Sequence, residues 1–110
     1  MNIPIKHGYV TQELFESYLD SLVGRFYKIM PMYEDNDPTL KPYLEGLCRE
    51  LSGSKSLILA LNNNPYFIQL ISTIQYFIDN DFDKKICKKE VMKCIDISKK
   101  LKKKLLERSD

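Results

Sequence analysis

The sequence predicts an all-α protein: a single-domain antiparallel four-helix bundle in up-down-up-down order, with a short N-terminal arm. Three observations carry this expectation. Apolar residues recur in four separate stretches in alternating steps of four and three, the spacing that puts them on one face of an α-helix. The stretches are joined by short segments rich in Asn, Asp and Pro, and short connections make consecutive helices antiparallel. No segment alternates apolar and polar residues for long enough to build a sheet. At 110 residues, 44% of them hydrophobic, the chain has the size and composition of one folded domain.

Residues 1 to 10 form the arm, and residues 11 to 110 the helical bundle. In the first helix, about residues 12 to 30, Phe15, Leu19, Leu22, Phe26 and Ile29 make the stripe. Thr11 is placed to cap its N-terminus, and Pro31 is expected to end it, because the residue before a proline is steered away from helical backbone. The second stripe, Leu40, Leu44, Leu47, Leu51, Ser54, Ile58 and Leu61, keeps its register throughout. It predicts one long helix over about residues 39 to 62, with a break near Gly53 as the alternative.

Asn62, Asn63, Asn64 and Pro65 then supply a stop, a cap and a proline for the first turn of a third helix, about residues 65 to 79. This helix carries Phe67, Leu70, Ile71, Ile74, Phe77 and Ile78 and is apolar around much of its circumference. A fourth helix, about residues 84 to 107, aligns Cys87, Val91, Cys94, Ser98, Leu101 and Leu105. The expected core includes Leu22, Phe26, Leu47, Leu51, Ile71 and Ile74.

Several functional classes lose support at this stage. No apolar run approaches the length that spans a bilayer, and MNIPIKHGYV lacks the long apolar centre of a signal peptide, so a cytoplasmic protein without membrane contact is expected. The three cysteines form no CxxC or Cys/His ligand spacing, and Cys87 and Cys94 stand about 10 Å apart along one helix. They read as small buried apolar residues. The single histidine, His7, has no sequence-near catalytic partner. No phosphate loop, dinucleotide fingerprint, GxSxG or HExxH occurs. The expectation is no enzyme, no cofactor and no small-molecule substrate.

One stretch needs separate treatment. In DNDFDKKICKKE, Asp79, Asp81, Asp83 and Glu90 occupy the first, third, fifth and twelfth places, and this spacing resembles the calcium loop of an EF-hand. The resemblance is limited to these twelve residues and their flanks. It fails at the sixth place, where the sharp turn calls for Gly and the chain has Lys84. Asp81 or Asp83 serving as a helix cap accounts for the acidic run without a metal.

The strongest signal beyond the fold is charge asymmetry. Residues 1 to 83 carry 6 Lys/Arg against 11 Asp/Glu, whereas residues 84 to 110 carry 11 against 4. Lys84, Lys88, Lys99, Lys100, Lys103, Lys104 and Arg108 are the candidate contact residues on this lysine-rich helix. They suit a non-enzymatic helical interaction module, an adaptor, regulator or small subunit that binds an acidic protein or a second copy of itself. The alternative is an accessory protein gripping a nucleic-acid backbone, and the bland reading is a solvated face. A near-neutral total charge and the lack of aromatic residues among the lysines weigh against nucleic acid. Tyr33, Tyr43, Tyr66 and Tyr76 are either interface residues or the edge of the core.

Overall fold

The computed structural model describes residues 2–5 and 8–107. Its first element corrects the expectation that the chain builds no sheet. Strand β1 (Asn2–Ile5) pairs antiparallel with β2 (Gly8–Thr11), with Ile3 opposite Val10 and Pro4 opposite Tyr9. Four-residue strands are too short to leave a period-two signal, and burial of Ile3 against the helices holds the hairpin in place. Gly8 has φ +143°, a conformation that side-chain-bearing residues rarely adopt. His7 lies outside the described residues.

Thr11 ends β2 and caps α1 (Gln12–Glu34) in the same step, its Oγ1 accepting from the Leu14 amide at 3.1 Å. The stripe Phe15, Leu19, Leu22, Phe26 and Ile29 is buried as its spacing requires. Pro31 does not end the helix, which continues to Glu34. Tertiary contacts outweigh the lost amide there: Met32 is buried, and Tyr33 stacks on Phe82 with centroids 4.9 Å apart. The Tyr33 hydroxyl also donates to the Phe82 carbonyl at 2.6 Å. The stop comes at Asn36, whose φ of 52° is left-handed. The Asn36 amide bonds to the Tyr33 carbonyl and the Asp37 amide to the Met32 carbonyl, the paired closure of a Schellman motif.

The second stripe folds as two helices. α2 (Leu40–Leu57) passes through Gly53 without a break, and one turn, α3 (Leu59–Asn62), follows it. The interruption falls at Ile58, which is extended (φ −97°, ψ 112°) and forms an antiparallel bridge with Ile5. Leu44, Leu47, Leu51, Ile58 and Leu61 are nevertheless all buried.

α4 (Pro65–Asp79) begins at Asn64, whose side-chain oxygen accepts from the Tyr66 and Phe67 amides. It buries Phe67, Leu70, Ile74 and Phe77, while Ile71, expected in the core, lies on its half-buried flank. α5 (Lys84–Glu107) buries Cys87, Val91, Cys94, Ile95, Ile97, Ser98 and Leu101. Burial raises the Cys94 thiol to about 12, so it stays protonated and inert at neutral pH. The Ser98 hydroxyl is satisfied by the Cys94 carbonyl at 2.8 Å.

The most extensive packing between helices is that of α1 with α5, followed by α2 with α4 and α4 with α5. α1 and α5 run antiparallel, with Glu34 beside Lys84 at one end and Asp20 beside Lys102 at the other. α1 meets α2 less closely, mainly through polar links: Tyr18 to Ser54, Tyr43 to the Arg25 carbonyl, and the Arg25 and Glu50 ion pair. The buried apolar residues of these elements, Met32 apart, form one core. Among the described residues, no helix is long and apolar enough to cross a membrane.

Replacing Leu51, fully buried, by Ala is expected to cost about 2–5 kcal/mol in urea unfolding, because it removes buried apolar contact and leaves a cavity. The same truncation at half-buried Ile71 should cost clearly less. Equal losses would contradict this packing.

Candidate functional site

The surface that stands out is the outer side of α5, and its orientation follows from the packing just described. Once Cys87, Val91, Cys94, Ser98 and Leu101 face the core, residues half a turn away must face water. Lys85, Lys88, Lys89, Met92, Lys93, Asp96, Lys99, Lys100 and Lys103 are all exposed. They form one straight stripe which, at the helical rise per residue, extends about 27 Å. For comparison, the molecule's longest dimension is 42 Å.

The structure divides the lysines that the sequence grouped together. Those on the edges of α5 are engaged by the protein itself. Lys84 lies 3.5 Å from Glu34, an exposed pairing of the kind that contributes about 0–1 kcal/mol. Lys102 donates to Asp20 at 2.7 Å and lies 3.5 Å from Glu16. The hydrogen bond to Asp20, chiefly, raises the Lys102 ammonium above the usual lysine range. Lys104 sits over the Tyr66 ring, 5.8 Å from its centroid, within cation–π range.

Among the described residues, ion pairs reach no other lysine of α5. Of the candidate contact residues, Lys88, Lys99, Lys100 and Lys103 therefore project with no carboxylate partner among the described residues, whereas Lys84 and Lys104 have internal roles. Arg108 lies outside the described residues. Lys102 is not among the candidate contact residues, and the spacing agrees: Val91, Ile95, Ser98 and Lys102 continue the four-three steps of the buried face.

Of the four tyrosines, Tyr33, Tyr43 and Tyr66 pack half-buried against the core, while Tyr76 is 41% exposed. Tyr43 also has Lys28 over its ring, 5.3 Å from the centroid. Three of the four are thus core-edge residues.

Residues 79 to 90 do not form a twelve-residue loop. Lys84 to Glu90 are the first two turns of α5, so the sixth place of the calcium spacing is already helical. Asp83 caps that helix, its carboxylate accepting from the Ile86 amide at 2.8 Å and its carbonyl from the Cys87 amide. Asp79 accepts from the Gln75 side chain at 3.0 Å. Asp79 and Asp81 instead line a cleft of about 710 Å³ together with Asp37, Lys41 and Leu44. Asp37 is committed as well: the Thr39 hydroxyl and amide both donate to its carboxylate and hold it below the usual carboxylate range. Among the described residues, no cluster of three or more His, Cys, Asp or Glu is arranged to hold a metal ion.

In comparisons with known proteins, the chain matches no family model, no curated protein and no solved structure. The functional argument accordingly rests on the geometry.

Asp83→Ala is expected to lower stability by about 0.5–2 kcal/mol, the usual cost of a lost helix cap. Thermal unfolding should show the same loss with and without millimolar calcium. A calcium-dependent rise in melting temperature that disappears in the variant would reverse the assignment of Asp83 as a cap.

Proposed function

We propose that this protein is a non-enzymatic helical interaction module, an adaptor, regulator or small subunit of a larger assembly, and that it binds an acidic protein surface through the outer side of α5. The observation that carries the reading is the division of the lysines. Edge lysines are taken up by Glu34, Asp20, Glu16 and Tyr66, whereas Lys88, Lys99, Lys100 and Lys103 face solvent in a row. A row of like charges repels itself, and an acidic partner relieves that repulsion while fixing the register of the contact.

Asp96 favours a protein partner over a nucleic-acid backbone. Its carboxylate lies within the stripe, between Lys93 and Lys99, where it repels a phosphate but offers an acceptor to a donor on a protein. All the cations of the stripe are lysines, point charges without the planar fork that grips phosphate at two points. Met92, 37% exposed, adds an apolar contact in the same stripe.

In this proposal the four long helices form one domain, an antiparallel up-down-up-down bundle that serves as the rigid frame for the stripe. Its support is the antiparallel pairing of α1 with α5 and the short connections between consecutive helices. The three free thiols suit a reducing compartment such as the cytoplasm.

The test is triple charge reversal, Lys88→Glu, Lys99→Glu and Lys103→Glu, which leaves Lys102 and Lys104 in their internal contacts. The variant is expected to fold normally by circular dichroism and to lose the partner in pull-downs from the native source. Wild-type protein should show no binding to labelled duplex DNA or RNA in low-salt anisotropy titrations. Salt-sensitive duplex binding that the same reversal abolishes would replace the protein partner with a nucleic acid. An unchanged pull-down would remove the stripe from the contact.

A further inference from the structure

The interruption at Ile58 has no local cause in the sequence. Leu57, Ile58, Leu59, Ala60 and Leu61 include neither Gly nor Pro, and Leu and Ala are among the best helix formers. The apolar stripe crosses the interruption in register, from Leu51 through Ile58 to Leu61. Gly53, the weakest helix former in the segment, remains helical. The residue that leaves the helix is the one that pairs with the N-terminal hairpin, through the Ile5 bridge.

From this juxtaposition we infer that the hairpin of β1 and β2 is a conformational latch. While docked it holds residues 40 to 62 as two helices, and on release that segment closes into one continuous helix. The hydrogen bonding at the interruption fits this device. In a continuous helix the Lys55 carbonyl accepts from the Leu59 amide. Here that carbonyl is taken by the Asn62 side chain at 3.4 Å, and the Leu61 amide bonds back to Ile58. The substitute is long and local, so an i to i+4 ladder can displace it, with Leu61 and the link to α4 shifting as Ile58 turns helical.

Two further features make the hairpin able to act as a unit. Its strands satisfy each other, so it can lift off without leaving its own ladder unpaired. It meets the rest of the protein through buried Ile3, through half-buried Ile5 and Val10 against the core, through the Ile58 bridge beside α3, and through Thr11, which is both the end of β2 and the cap of α1. Leu57 and Leu59 flank the interruption and are 45% and 55% exposed, so the same event reorients two apolar side chains on the surface. Anything that draws β1 away from Ile58 thus extends α2 by the turn now called α3.

The experiment is backbone NMR on the full chain, comparing wild type with Ile3→Asp, which makes the docked hairpin unfavourable, and with Ile5→Pro, which changes the strand at the Ile58 bridge but retains Ile3. In wild type, Ile58 should have an extended Cα shift and the Leu59 amide should exchange rapidly. In the variants, loss of Ile3 contacts to the core should be accompanied by a helical Cα shift at Ile58. The Leu59 amide should then exchange at least about tenfold more slowly as the ladder closes. Protected amides at Leu22, Leu51 and Ile74 certify an intact core; if Ile3→Asp loses that protection, Ile5→Pro is the variant to read. If neither single change frees the hairpin, the double variant is measured. An extended Ile58 in any folded variant whose hairpin has come off overturns the inference, as does a helical Ile58 with the hairpin still docked.

Discussion

The packing of α1 against α5 is the constraint on which the rest of the structure depends. Phe15, Leu19, Leu22, Phe26 and Ile29 on one helix, and Cys87, Val91, Cys94, Ser98 and Leu101 on the other, are removed from water almost completely. Buried aliphatic and aromatic side chains of this kind are each worth about 1.5–3 kcal/mol relative to exposure. Rotating α5 by even one residue position, about 100° on a helix, would push lysines toward this interface and expose leucine and cysteine. No surface ion pair compensates for that. The apolar contact therefore sets the rotation of α5, and the rotation sets which cations are available to a partner.

The ion pairs follow from this geometry and do not cause it. Lys84 and Lys102 meet Glu34, Asp20 and Glu16 because antiparallel packing brings the acidic edge of α1 alongside the near edge of α5. The negative charge of residues 1 to 83 is used partly here and partly at turns and helix starts, where Asp37 and Asp83 satisfy backbone amides. Much of the acidic excess in residues 1 to 83 is thus internal bookkeeping. Among the described residues the positive excess on the outer side of α5 has no such internal use, and for that reason the proposed contact surface is placed there.

Helical periodicity made most of the fold legible in the sequence. The helix starts at Thr11 and Asn64 follow from cap chemistry, and the buried stripes follow from spacing. What the sequence did not disclose was set by contacts between distant residues. Pro31 stays helical because Met32 is buried and Tyr33 reaches Phe82, across 49 positions of chain. Ile58 leaves the helix where it bridges Ile5, and the strands that present Ile5 are too short to show a period. The lysine-rich candidate surface was visible as composition, but its division into engaged and free cations was not. Position along the four-three repeat separates Lys102 from Lys103, yet only the presence of α1 shows what Lys102 touches.

The rotation of α5 can be measured directly by mapping lysine reactivity along it. Brief reductive methylation of the native protein, read by mass spectrometry, compares adjacent side chains of identical intrinsic chemistry. If the packing with α1 sets the rotation, Lys102 should react more slowly than Lys99, Lys100 and Lys103, and Asp20→Asn should release it toward their rate. Indistinguishable rates at Lys102 and Lys103 in the native protein would contradict the account, because the two would then face the same solvent and α1 could not be holding α5 in the orientation described.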